Sequence, residues 1–157
     1  SNNDYNEVYI RNTIFFNTTV GNFYQEPYIA IFRANVLLER MNTIPGLTSQ
    51  DSIRMTAESR FMRGFNHFEI VNLFAQPFVP NSDNSQLGIV IKENTTFDPL
   101  PRSSVGQVYD FILQDLLYAE ENLPVDNGIF ANKWAADAML ARVYFQMNDF
   151  ENAAHFA

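Results

Sequence analysis

The stretch from Thr48 to Ala75 constrains the fold of this chain more than any other. Ile53, Ala57, Phe61, Phe65, Phe68 and Val71 recur there at three- and four-residue spacing, which lines one face of an α-helix and cannot line one face of a strand. Thr48 or Ser49 can accept the free N–H groups of the first turn, and Asp51 sits well against the positive end of the helix dipole. Pro77 stops the helix near Ala75. A helix this long with so aromatic a stripe must bury it against other helices.

Three further helices follow from the same spacing. Tyr24, Tyr28, Ile31, Phe32, Leu38 and Met41 predict one from about Asn22 to Asn42, ended by Ile44-Pro45-Gly46. Ser104 with Gln107 three residues on forms a capping box, and Val108, Phe111, Ile112, Leu116 and Ala119 make the buried stripe behind it, up to Leu123-Pro124. Trp134, Ala136, Leu140, Val143 and Tyr144 predict a helix from Asn132 to a turn at Asn148-Asp149. A last helix opens at Phe150 and has only eight residues to its end, too few to stand alone. The sequence is therefore expected to be an excerpt of a longer protein.

The remaining segments lack a period. Residues 1–21 read as an irregular lead-in with room for a short helical turn, 22–75 as a first helix pair, 76–103 as a long loop and 104–157 as later repeat helices, together one partial helical-repeat domain. Pro77, Pro80, Pro99 and Pro101 punctuate the loop, and Gly88-Ile89-Val90-Ile91 is its one strand-like run. A connection of that length is often functional.

Charge and composition narrow the function classes. The net charge is −8, Lys92 and Lys133 are the only lysines, and the eight arginines are scattered, so neither nucleic acid nor an anionic membrane surface is a natural partner. There is no Cys, which excludes disulfides and thiolate metal sites in these residues. No apolar run approaches the roughly 18 residues of a membrane span. His67 and His155 are isolated, and no Ser–His–Asp order or phosphate loop is present, so no metal, cofactor or catalytic residue is assigned. Asp115 with Glu120-Glu121 reads as a solvated helix face rather than a glycosidase carboxylate pair.

From the fourth of these helices onward, Leu140-Ala141-x-x-Tyr144-x-x-x-Asn148-x-Phe150-x-x-Ala153 follows the tetratricopeptide pattern. Small residues at Ala141 and Ala153 let helices approach, while Tyr144 and Phe150 fill the neighbouring hole. Ala57-x-x-x-Phe61-x-x-Gly64 is a looser match. The fold class is all-α, a tetratricopeptide-like helical-repeat solenoid with a long irregular insertion.

Three stretches in order carry a wider resemblance. Ala57-Glu58-Ser59-Arg60-Phe61-Met62-Arg63-Gly64-Phe65-Asn66-His67-Phe68 resembles the AEARFLRAFxxF helix of the SusD/RagB family, Gly64 replacing its usual alanine. Pro101-Arg102-Ser103-Ser104-Val105 through Tyr109-Asp110-Phe111-Ile112 is similar to its PRSSVxEVYDFI segment. Lys133-Trp134-Ala135-Ala136 through Leu140-Ala141-Arg142-Val143-Tyr144 to Asp149-Phe150 is similar to its WAALALLARVYLxxGDY segment. The structural motif residues are thus Arg60, Phe61, Phe65, Phe68, Trp134, Leu140 and Tyr144.

The resemblance implies part of a larger SusD-like fold: a cell-surface lipoprotein, anchored to the outer membrane by a lipid outside this chain. It would capture a glycan or oligosaccharide, or a peptide in RagB-like members, and deliver it to a SusC-like TonB-dependent transporter without any catalysis. A tetratricopeptide adaptor binding protein segments is the alternative reading of the helices, and it would show further regular repeats of about 34 residues. The family's ligand contacts often precede the first repeat helix. By position that indicates Tyr5, Tyr9, Phe15 and Phe16 among the asparagines of residues 1–20 as candidates for sugar stacking, against the simpler reading that these rings cover the end of the helical stack. Trp134 and the Phe61/Phe65/Phe68 stripe read as core. Arg60 and Arg63 read as ion-pairing between helices, with contact to the transporter as the other possibility, and His67 as a surface or hydrogen-bonded imidazole.

Overall fold

A computed structural model describes residues 2–14 and 16–157. Among these the chain is all-helical: α1 (Asn2–Tyr9), α2 (Thr18–Arg40) running into a 3-10 turn (Met41–Thr43), α3 (Ser49–Phe74), α4 (Val105–Asn122), α5 (Lys133–Gln146) and α6 (Phe150–His155). Each helix packs on the next in chain order, and α3 makes the two largest contacts, with α2 and α4. This is the one-dimensional stacking of a helical repeat.

The caps form as the side chains dictate. Thr48 Oγ1 accepts from the Asp51 N–H (3.1 Å). Ser104 and Gln107 close a reciprocal capping box, and Asn132 and Asp149 accept from the N–H groups of Ala135 and Asn152. The lead-in differs from expectation. Residues 2–9 are helical, and α2 starts at Thr18, earlier than Asn22, because Asn17 is its N-cap. Asn17 accepts from Val20 N–H (3.0 Å) and donates to the Asp4 carbonyl (3.0 Å) and the Glu7 carboxylate (2.8 Å). One buried amide thus starts α2 and ties α1 to it.

The main core joins Ile31 of α2, Phe68, Ile70 and Val71 of α3, Val108, Tyr109, Ile112 and Leu116 of α4, and Leu140 and Val143 of α5. A second cluster of Ala57, Ala119, Leu123 and Ala136 joins α3, the C-terminal end of α4 and α5. Phe61 and Phe65 are half-buried at the edge of the core, stacked at 6.3 Å, and Tyr144 stacks on Phe156 at 5.7 Å. Ile53, at the start of the predicted stripe, is exposed.

Two sequence expectations are corrected. Trp134 is not core; it is 59% exposed. The inward face of α5 is Ala136, Met139, Leu140 and Val143, and nine residues separate Trp134 from Val143, half a turn off at about 100° per residue. Asp115 is not on a solvated face; it is fully buried. It lies three residues after Ile112 and four before Ala119, in the middle of the α4 stripe. Glu120 by contrast stays at the surface side and pairs with Lys133 (2.6 Å).

Asp115 is buried because two arginines of α3 meet it. Arg63 donates bidentately, Nε to Oδ2 (2.7 Å) and Nη2 to Oδ1 (2.9 Å), and Arg60 Nε adds a third bond (2.8 Å). Arg60 also lies over the Tyr118 ring and Arg63 over Phe111. The interhelical ion pairing expected of these arginines is present. Gly64 lets α4 come this near: a Cβ there would sit 3.2 Å from Asp115 Cβ and from Leu116 Cγ.

The same network anchors the connection from 76 to 103. Arg63 Nη1 donates to Asn35 Oδ1 (2.9 Å) and to the Glu93 carbonyl (3.3 Å). Asn35 in turn donates to the carbonyls of Lys92 (3.0 Å) and Asn94 (3.3 Å). His67, fully buried, links its Nδ1 to the Arg63 carbonyl (2.8 Å) and accepts at Nε2 from the Lys92 N–H (3.2 Å). The strand-like run at Gly88 forms only one isolated antiparallel bridge, Leu87 to Ser104. Gly88 passes so close to Ser103 O and Val108 that a Cβ would meet both at 3.0 Å.

Removing Asp115 leaves the nearly buried Arg63 guanidinium and the partly buried Arg60 guanidinium without their carboxylate. Asp115→Ala is expected to cost about 3–5 kcal/mol in denaturant unfolding, the range for breaking one side of a buried pair. A loss below about 1 kcal/mol would show that water solvates the arginines.

Burial holds the His67 imidazole down to about 4, against the opposing pull of the Arg63 carbonyl and the Asp115 charge. The unfolded chain takes up this proton near 6.5. Stability from the neutral ring is therefore complete above pH 6.5 and lost as pH falls towards 4, by about 3 kcal/mol in all. His67→Gln should flatten the profile of unfolding free energy between pH 6.5 and 4; a variant that keeps the native slope would exclude His67 as its source.

Candidate functional site

The rings expected in the lead-in are where a ligand can reach them. Tyr5 and Tyr9 stand four residues apart on α1, so they share one face of it, and they are 67% and 86% exposed. Phe16, in the turn before α2, is 80% exposed. Phe15 lies outside the described residues. Ile10 and Ile14 add exposed apolar surface, and Asn6 and Asn12 are exposed beside them.

This surface is held, not dangling. Asn17 bonds to Asp4 and Glu7, and Thr18 donates to the Asp4 carboxylate, so the base of α1 is fastened to the first turn of α2. Uncharged ring faces with amides at their edges can cover the apolar face of a sugar and orient its hydroxyls. Among the described residues, no group of His, Asp and Glu is placed to hold a metal ion, and no helix is long and apolar enough to cross a membrane.

A concavity elsewhere on the surface has no counterpart in the sequence reading. Between α2 and residues 90–100 lies a hollow of about 500 Å³, with Tyr24, Gln25, Tyr28 and Ile29 on one wall and Lys92, Asp98 and Leu100 on the other. The periodicity of α2 placed Tyr24 and Tyr28 on a buried face. Tyr28 is half-buried, donating to the Val90 carbonyl (2.8 Å), and burial raises its phenol well above the ordinary tyrosine range. Tyr24 leans edge-on against Phe74 (5.1 Å) and keeps an exposed side. The signal that could have found the hollow is the tyrosine pair at i and i+4, but its other wall arrives from more than sixty residues away.

The exposed Trp134 lines another hollow of about 630 Å³ with Glu120, Lys133, Asp137 and His155. Burial and the nearby Glu120 charge raise the Asp137 carboxyl. Phe61, Phe65, Phe68, Leu140 and Tyr144 all serve packing.

The comparisons with known proteins agree with one another. A family model described as SusD-like, "starch-binding associating with outer membrane", matches residues 1–145. SusD-like protein P2 of Formosa agariphila is 28% identical over 146 residues, which are 90% of this chain and 27% of that protein. A solved SusD superfamily protein from Bacteroides thetaiotaomicron superposes with a TM-score of 0.75 at 29% identity, over 85% of this chain and 30% of that one. A laminarin-binding SusD-like protein superposes at 0.69 with 27% identity, over 86% and 28%. The chain thus spans about a quarter of the length of such relatives. With a family model covering most of its residues and the helical architecture shared with solved members, this chain belongs to the SusD-like family.

Proposed function

We propose that this chain is the helical-repeat part of a cell-surface glycan-binding protein. In this reading it captures oligosaccharides and delivers them to a SusC-like TonB-dependent transporter, held at the outer membrane by a lipid outside these residues. The observation that carries the reading is the exposed set Tyr5, Tyr9 and Phe16 fastened to the start of α2. Large exposed rings lose free energy in water unless something covers them, and a sugar face covers them without a charge. The family's starch-binding description and the laminarin-binding relative support a saccharide as the occupant.

The role is binding, not turnover. The carboxylates deepest in the helical packing are held in ion pairs: Asp115 by Arg60 and Arg63, with Glu120 paired to Lys133 and Glu69 to Arg142 nearer the surface.

Calorimetric titration of the chain with maltoheptaose and with laminarihexaose tests this. Tyr5→Ala/Tyr9→Ala and Phe16→Ala should each weaken binding about tenfold or more, equivalent to about 1.4 kcal/mol, with thermal unfolding unchanged because the rings touch little of the core. Affinity indifferent to all three substitutions would move the site elsewhere.

A further inference from the structure

We propose that the hollow between α2 and residues 90–100 is a second saccharide subsite, with Tyr24 as the ring platform and Asp98 and Gln25 as the hydroxyl-binding groups. The inference rests on the glycan-binding reading and adds a separate place where a sugar residue is held.

Four observations carry it. First, the walls are pre-positioned. Tyr28 bonds to Val90, Asn35 to Lys92 and Asn94, and Glu39 takes both the N–H (2.8 Å) and the hydroxyl (2.7 Å) of Thr95. The segment facing α2 is therefore fastened from Val90 to Thr95, and a ligand would find that wall already formed.

Second, polar groups around the rim are mostly committed to the protein, and two are not. Lys92 Nζ donates to the Thr96 carbonyl (2.6 Å), and the Asn94 amide oxygen accepts from Thr96. Asp98 and Gln25 are exposed, line the hollow, and among the described residues make no hydrogen bond or ion pair. One supplies a carboxylate acceptor and the other both an acceptor and donors, the combination a vicinal diol uses.

Third, aromatic and aliphatic surface lies between them. Tyr24 is held at a fixed tilt by Phe74 and Tyr28, and Ile29 and Leu100 are exposed beside it. Next to Asp98, Phe97 is 90% exposed and rests on Phe32 at 5.8 Å, extending the platform past the rim. Fourth, volume and charge fit a neutral ligand. About 500 Å³ lies within the roughly 300–1,000 Å³ of small-molecule sites. Lys92 and Asp98 bring one positive and one negative charge to the lining, which is therefore close to neutral overall and suits a neutral pyranose.

The test is NMR mapping of the 157-residue chain with a sugar short enough to fill one place at a time, maltotriose and laminaritriose being the probes. Amide shifts are expected in two separate sets, residues 24–29 with 92–100, and residues 5–16. Asp98→Ala/Gln25→Ala should weaken the first set about tenfold and leave the second unchanged; neither side chain supports the fold, so the variant stays folded. Tyr24→Phe should retain binding at the first set, since the ring face is kept. Shifts confined to residues 5–16 would overturn the subsite while leaving the proposed function intact. No shift with either sugar at millimolar concentration would overturn both. Shifts at 24–29 that ignore Asp98→Ala/Gln25→Ala would overturn the assignment of those two groups and with it the subsite.

Discussion

Asp115 is the group on which the rest of the structure depends. A carboxylate fully removed from water costs several kcal/mol before anything compensates it. Here three N–H donors converge on its two oxygens, and the guanidinium groups that bring them are flattened against Phe111 and Tyr118. Lysine could not replace Arg63. Its point charge would satisfy Asp115 but not also reach Asn35 on α2 and the Glu93 carbonyl in the connection. The planar fork joins three parts of the chain through one side chain, and Gly64 beside it supplies the clearance that lets α4 approach.

That arrangement explains how a 28-residue segment without regular structure is fixed in place. The connection pairs its own backbone only at a few turns and where residues 86–89 meet 103–105. Its other carbonyls and N–H groups are satisfied by side chains: Asn35 and Tyr28 from α2, Arg63 and His67 from α3, and Asn84 and Arg102 of the connection itself. Orphaned backbone groups are what would otherwise keep such a segment in water. His67 is the one titratable member of this set that is fully buried, so acid reaches the connection through it.

These dependencies mark what could be read from the residues alone. The cap at Thr48, the capping box at Ser104 and Gln107, and the stripe ending in Phe68 and Val71 are local, and local chemistry is written in adjacent positions. Helix α1 was legible only as a short helical turn, because Tyr5, Val8 and Tyr9 keep helical spacing over little more than one turn and its position rests on Asn17 reaching back across ten residues and more. Trp134 was read as core from its place in the family's helix motif, when its angle from Val143 already placed it outside. Asp115 was judged by kinship with Glu120 and Glu121, when its spacing from Ile112 and Ala119 put it in the stripe. In both cases the helical angle carried more information than the grouping. Tyr5, Tyr9 and Phe16 were marked by position relative to a known family and prove accessible; the hollow at Tyr24 was out of reach, since its walls are brought together by bonds spanning 57 to 62 residues.

A division of labour between side chains follows. Residues that hold the scaffold are saturated: Arg63 makes bonds to three partners, Asn35 to three, His67 to two, and none can change without exposing another's unsatisfied group. Asp98, Gln25, Phe97, Tyr5 and Tyr9 carry little or none of that duty. Substituting them alters the surface without disturbing the interior, so the same helices can present different faces to different ligands. A fold shared at 28–29% identity with relatives several times longer is the expected outcome of such a division: the buried network fixes the shape, and the uncommitted groups on its rigid edges are where specificity can vary at least cost to stability.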